Sequence, residues 1–174
     1  MKKDGGSHDI ICRLSFMRKY LIKQTLNEVL LLSLQQISEQ DMLVNFTFKN
    51  YRSFKNEMTL SMEAASIQEL SDAVVKSGDE ELLPVAVIYG ANSSGKSNVL
   101  KALKTMRDVI LNSVRLNPKD SLEAEPFSLD LTSGGEPTSF EIQFTLNNSK
   151  FRYGFDYTAE AIVAEWLYEK RQGE

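Results

Sequence analysis

Residues 82–107 constrain this chain more than any other stretch: LLPVAVIY, then GANSSGKS, then NVLKALKTMR. The first eight residues are nearly all apolar and rich in valine and isoleucine, which predicts a buried strand. The next eight spell G-x-x-x-x-G-K-S. After them Val99, Leu100, Ala102, Leu103 and Met106 recur at helical spacing, continuing to Val109 and Ile110, so a helix is expected from near Ser94 to near Ser113. Strand, glycine loop and helix, in that order, form the context that a phosphate-binding loop requires.

Each loop residue then has a physical task. Gly90 and Gly95 allow backbone conformations that a side chain would block, so the chain can wrap closely around a phosphate. The amides from Asn92 through Ser93, Ser94, Gly95 and Lys96 to Ser97 are expected to point into the cavity, where the N-terminus of the helix adds partial positive charge. Lys96 is placed to reach the β- and γ-phosphates as a point charge. The Ser97 hydroxyl is placed to complete the shell of a Mg²⁺ ion. The expected cofactors are ATP and Mg²⁺. No GTP-type base-reading motif such as N-K-x-D occurs in the chain.

Composition sets outer bounds. With 174 residues, 42% apolar and 25% charged, the chain has an ordinary globular balance. A net charge of −4 gives no global electrostatic case for nucleic acid, although Lys101, Lys104 and Arg107 concentrate positive charge on the predicted helix. One cysteine (Cys12) and one histidine (His8) exclude an internal disulfide framework and a Cys/His zinc site. A lone thiol fits a reducing cytoplasm.

Residues 1–41 differ from the remainder and are expected to form a dispensable helical extension, with Phe16, Met17, Tyr20, Leu21, Leu26, Val29, Leu30, Leu34 and Ile37 on one face. The run VLLLSL is too short to span a bilayer, and no small-residue cleavage site follows it, so no membrane association is expected. From Met42 the period changes to two. Val44, Phe46 and Phe48 share one face of a strand, NYRSFKN breaks it, and Met58, Leu60 and Met62 alternate on a return strand. Residues 64–81 read as surface loop after a short helix near Ala64–Leu70. Residues 115–137 read as a long irregular connection in which Phe127 pins PFSLD. Three alternating runs close the chain as an antiparallel meander: Phe140, Ile142, Phe144 and Leu146; Phe151, Tyr153, Phe155 and Tyr157; Ile162, Ala164, Trp166 and Tyr168. Their aromatic faces are expected to be core. The class is therefore α/β with α+β character, in two parts: 1–41, and a core domain at 42–174.

The hairpin carrying F-x-N-Y-R-S-F (Phe48 to Phe54), the block LLPVAVIYGANSSGKSNVLKAL and the meander together resemble the N-terminal lobe of an ABC-class ATPase head. The similarity is greatest to the SMC/RecF-like branch and its bacterial AAA-type relatives of the abortive-infection, anti-phage kind. Asn92, and Asn98 after Lys96-Ser97, match that branch better than they match small GTPases or kinases. The stretches PFSLD, FRYGFDY and IVAEWLYEKRQG also resemble those relatives. The resemblance implies a nucleotide held across a head-to-head dimer, or against a complementary C-terminal lobe. It further implies that Arg52 to Phe54 lie near the nucleotide, with Arg52 and Asn98 joining the loop residues at the site.

One departure limits the expected chemistry. Hydrolysis needs a carboxylate that holds Mg²⁺ at the end of an apolar strand, usually followed by a Glu that activates water. No run of four apolar residues followed by Asp-Glu occurs after the loop, and Ser133-Gly134-Gly135 lacks the context of a signature motif. Asp130 and Asp156 are the available substitutes. The expectation is an N-terminal fragment or split product that binds ATP and does not hydrolyse it alone. Two alternatives stand beside it: a non-catalytic nucleotide-binding module for regulation or assembly, and a P-loop nucleotide kinase, which the aromatic meander disfavours.

Overall fold

The computed structural model describes residues 41–65, 72–112, 122–130, 132–147 and 149–171; the predicted extension at 1–41 lies outside them except for Asp41. A five-stranded antiparallel sheet forms the body. Its strands are β1 (Leu43–Lys49), β2 (Met58–Ser61), β5 (Thr138–Leu146), β6 (Ser149–Tyr157) and β7 (Ile162–Arg171), in the order β2-β1-β5-β6-β7. β3 (Val75–Ser77) and β4 (Glu80–Leu82) make a separate two-stranded hairpin, and α1 spans Lys96–Asn112. The class is mixed α/β with antiparallel sheets.

The period-two runs produce the core directly. Val44, Phe46 and Phe48 of β1, Phe140, Ile142 and Phe144 of β5, and Tyr153, Phe155 and Tyr157 of β6 are all buried. Residues opposite each other in neighbouring strands point to the same face, and Phe46↔Ile142 and Phe140↔Phe155 keep the apolar side chains together. Phe140 sits at the centre, with ring centroids of Phe46, Tyr51, Phe155 and Tyr157 between 5.6 and 6.2 Å away. On α1 the helical stripe is also realised: Val99, Ala102, Met106, Val109 and Ile110 are buried. The Tyr51 hydroxyl meets Thr105 Oγ1 at 2.9 Å and ties the turn after β1 to the helix.

Three expectations are corrected. First, the apolar run before the loop is not a buried strand. β4 ends at Leu82, and from Leu83 to Tyr89 the chain is irregular. Val85 is 70% exposed, Val87 65% and Tyr89 88%. A fully buried strand needs neighbours on both edges, and no described strand pairs with this segment. Second, residues 75–81 are not surface loop. Gly78, at φ 61°, turns a short hairpin whose buried Ser77 hydroxyl donates to Thr145 Oγ1 at 2.7 Å, and Lys150 pairs with Glu80 at 2.7 Å. The short helix expected near Ala64–Leu70 lies largely outside the described residues.

Third, the aromatic residues of β7 do not join the core. Tyr157 pairs with Ile162 but Asp156 with Ala164, so Val163 is an extra residue that bulges the strand and reverses its phase. Trp166 then lies opposite Gly154, and Tyr168 opposite Arg152, on the outer face. Gly154 is the seat of the indole: a Cβ there would lie 2.5 Å from Trp166 Cζ2 and 2.8 Å from the Phe140 carbonyl oxygen. Gly154→Ala is therefore expected to destabilise the fold by about 2 kcal/mol, measured as a lower urea midpoint with an unchanged m-value.

The connection before β5 is pinned rather than loose over its described part. Asn50, buried at φ 52°, donates from Nδ2 to the carbonyls of Ser133 and Glu136, both at 2.9 Å. Its Oδ1 accepts the Phe127 amide at 3.0 Å, so Phe127 is held by its backbone as well as its half-buried ring. No helix among the described residues is long and apolar enough to cross a membrane.

Candidate nucleotide-binding site

The segment Gly90–Ser97 leads from the exposed apolar run into α1. The backbone turns through two positive-φ residues, Ser93 at 63° and Gly95 at 92°. Glycine suits the second, whereas Ser93 takes up a conformation that L side chains resist. The Ser94 amide reaches the Ala91 carbonyl at 3.3 Å, and the Asn98 amide reaches Gly95 at 2.8 Å, beginning the helix. Amides in a first helical turn lack intrahelical acceptors, and no acidic side chain occupies this one. Residues 90–94 and Ser97 are exposed, while Lys96 is half-buried.

Lys96 folds back across the loop. Its ammonium donates to the Gly90 carbonyl at 2.7 Å and to the Ala91 carbonyl at 2.6 Å. The cation is thus tied to the two carbonyls at the start of the loop.

The turn after β1 is packed against the same loop. Tyr51 and Phe54 exchange two backbone hydrogen bonds at 2.8 Å, with Arg52 between them at φ 48°. A Cβ on Gly95 would lie 2.9 Å from Ser53 Oγ and 3.0 Å from Phe54 Cζ, so Gly95 is needed for this close approach as well as for its φ. Asn98 Nδ2 donates to Ser53 Oγ at 2.9 Å, and the Phe54 ring stands edge-on to Phe48 at 5.1 Å.

Gly95, Asn98 and the turn carrying Arg52 therefore meet in space. The Arg52 side chain, however, is committed to Glu125. Its Nε donates to Glu125 Oε2 at 2.8 Å, its backbone amide donates to the Glu125 carbonyl at 2.8 Å, and the guanidinium lies 5.7 Å from the centre of the Tyr51 ring. The Glu125 hydrogen bond pushes the Arg52 pKa above its ordinary value. Sequence reasoning missed Glu125, and nothing in EAEPF distinguishes it from a solvated carboxylate. The part played by Ser53 was legible only as one letter of the turn.

Of the two substitute carboxylates, Asp130 is engaged elsewhere and Asp156 lies on the outer face of the sheet. Asp130 pairs with Lys55 and accepts the amides of Thr132 at 3.0 Å and Ser133 at 2.8 Å. The Lys55 hydrogen bond, followed by those of Ser133, holds its carboxyl well below the usual carboxylate range. Asp156 lines a cleft of about 500 Å³ on the outer face of the sheet, with Thr47, Lys49, Glu141, Arg152 and Trp166. Among the described residues no group of three His, Cys, Asp or Glu side chains is placed to hold a metal ion. Exposed Ser97, at the second position of α1, suits a cation that arrives with phosphate oxygens and water rather than one caged by protein. On the helix, Lys104 and Arg107 both pair with Asp108, at 2.5 and 3.5 Å, which offsets part of the charge concentrated there.

A family model described as "AAA domain, putative AbiEii toxin, Type IV TA system" matches residues 85–174. The match opens at Val85, takes in the glycine loop, α1 and the meander, and leaves out β1, β2 and the turn between them. No curated protein matches the chain.

Proposed function

We propose a function from one premise: this chain belongs to the family of AAA domains described as "putative AbiEii toxin, Type IV TA system". It is the ATP-binding part of an SMC/RecF-like ATPase, arranged as the N-terminal lobe of an ABC-class head. The reading is carried by the loop itself, an exposed glycine turn that ends at a helix N-terminus with the Lys96 ammonium folded over it. Phosphate binding exchanges the Gly90 and Ala91 carbonyls for β- and γ-phosphate oxygens at Lys96 Nζ, while amides of the loop and the first helical turn take the remaining oxygens. Ser97 would hold the Mg²⁺ that accompanies the nucleotide, and the metal would supply charge neutralisation there. Arg52 to Phe54 form one wall, and Arg52 joins the nucleotide only on leaving Glu125.

Hydrolysis is assigned to a complementary lobe rather than to this chain alone. Asp130 is bound to Lys55 and the amides after it, Asp156 lies on the outer face of the sheet, and the run Val85–Tyr89, which no described strand pairs, offers strands of such a lobe an edge on each side. The same observations support a regulatory reading, in which the chain binds ATP and signals occupancy without turnover. One experiment separates them. The chain alone is expected to bind Mg–ATP without releasing phosphate, and turnover is expected when a chain bearing the Asp-Glu lobe is added. Absence of turnover in the mixture, with binding intact, selects the regulatory reading. Absence of ATP binding rejects both.

A further inference from the structure

The turn between β1 and β2 grips two parts of the chain at once. On one side Ser53 and Phe54 stand against Gly95, and Asn98 Nδ2 donates to Ser53 Oγ at 2.9 Å. On the other side the turn holds the connection over residues 122–130. The Arg52 amide donates to the Glu125 carbonyl at 2.8 Å, Asn50 Oδ1 accepts the Phe127 amide at 3.0 Å, and Lys55 pairs with Asp130. Asn50 and Arg52 both take positive φ, at 52° and 48°, a region that L side chains resist. Such backbone persists only where its surroundings hold it, and it collects at ligand clamps and switches.

We propose, on the nucleotide-binding reading of the loop, that Glu125 is an internal competitor for Arg52. Exchange of its carboxylate for a nucleotide phosphate sets the affinity of the site. Arg52 directly precedes Ser53, which touches the loop, so a swing of this long side chain moves the guanidinium between the connection and a bound anion.

Three features suit the carboxylate to this part. First, Glu125 Oε2 accepts both Nε and Nη2 of Arg52, the first at 2.8 Å, as a phosphate oxygen would. Second, the two side chains are 31% and 36% exposed, and ion pairs in that setting contribute little to folding. Parting them therefore costs the fold little, and a triphosphate, with more charge than one carboxylate, displaces it. Third, the backbone bonds from Arg52 to Glu125 and from Phe127 to Asn50 do not involve the Glu125 side chain. They keep the carboxylate beside the turn at high local concentration, ready to recapture Arg52 when the nucleotide leaves. Only the fraction of chains with Arg52 released presents the complete site, and apparent affinity is reduced by that fraction.

The test is a Mg–ATP titration of the full chain, with circular dichroism of each variant alongside. Glu125→Gln keeps the shape and an acceptor oxygen but removes the charge, and it is expected to tighten binding about fivefold. Glu125→Ala is expected to act in the same direction, because the backbone bond that seats the turn needs no side chain. A brace that served structure alone would lower affinity, or leave it unchanged, when weakened. Arg52→Ala is expected to weaken binding, and Glu125→Gln to have no effect in that background, because the competition needs both partners. Glu123→Gln, exposed two residues away, controls for the lost charge and is expected to bind as wild type does. Suppose that Lys96→Ala abolishes binding but neither folded Glu125 variant binds more tightly than wild type. The competition is then overturned and the nucleotide reading stands. A gain that survives in the Arg52→Ala background, or an equal gain in Glu123→Gln, overturns it as well. A wild-type chain that binds no Mg–ATP overturns both.

Discussion

Replacing Lys96 with alanine is expected to abolish Mg–ATP binding in an equilibrium titration. In the structure the ammonium makes two hydrogen bonds to loop carbonyls, and on the proposed reading it exchanges them for phosphate oxygens. Two charge-assisted contacts to phosphate contribute about 3 kcal/mol together, so the loss is at least about a hundredfold in affinity. The effect on folding runs the other way in scale. Lys96 is only half-buried, and its removal costs about 1 kcal/mol through the two carbonyl contacts. Unchanged affinity in a folded Lys96→Ala chain would reject the assignment of the loop, whatever the family match.

The largest effect on stability is expected at Phe140. Its ring is fully buried and stacks or meets edge-on with Phe46, Tyr51, Phe155 and Tyr157. Truncation to alanine removes the side chain on which three strands and the turn after β1 converge, with an expected cost of about 3–5 kcal/mol in urea unfolding. A second consequence follows from Tyr51, which joins that turn to α1 through Thr105. Loosening Tyr51 loosens the seat of Ser53 and Phe54 against Gly95. Phe140→Leu, which keeps much of the volume, is expected to cost far less and to keep the loop competent. A Phe140→Ala chain as stable as wild type would show that this cluster is not the core.

These two residues were legible to different degrees in the sequence. Phe140 belongs to a clean alternation, and such alternation found β1, β5 and β6 because their period-two pattern faces a single apolar layer. The helical stripe found α1 for the same reason. The run before the loop was misread because composition reports what a segment can bury, whereas pairing depends on strands that lie beside it. β7 was misread on one point only: a single extra residue at Val163 sends Trp166 and Tyr168 to the outer face, and no period-two reading anticipates a bulge. The β3–β4 hairpin was hidden because its strands are three residues each and mostly polar, held by Ser77, Thr145 and the Lys150–Glu80 pair. At the site, G-x-x-x-x-G-K-S was visible as a motif. The contact of Ser53 and Phe54 with Gly95, and the hold of Glu125 on Arg52, join residues 42 and 73 positions apart and have no local signature.

The run from Val85 to Tyr89 has a further consequence for the chain as a solute. These five residues carry no charge and no proline, favour extended backbone, and are largely exposed. Short segments of that kind stick to one another and to other unfolded chains. The stretch that delivers the loop to its position is therefore also a segment prone to self-association until it is covered. Whatever covers it protects the chain from precipitation and proteolysis at the same time. Solubility is thereby tied to the same few residues that lead into the candidate ligand site.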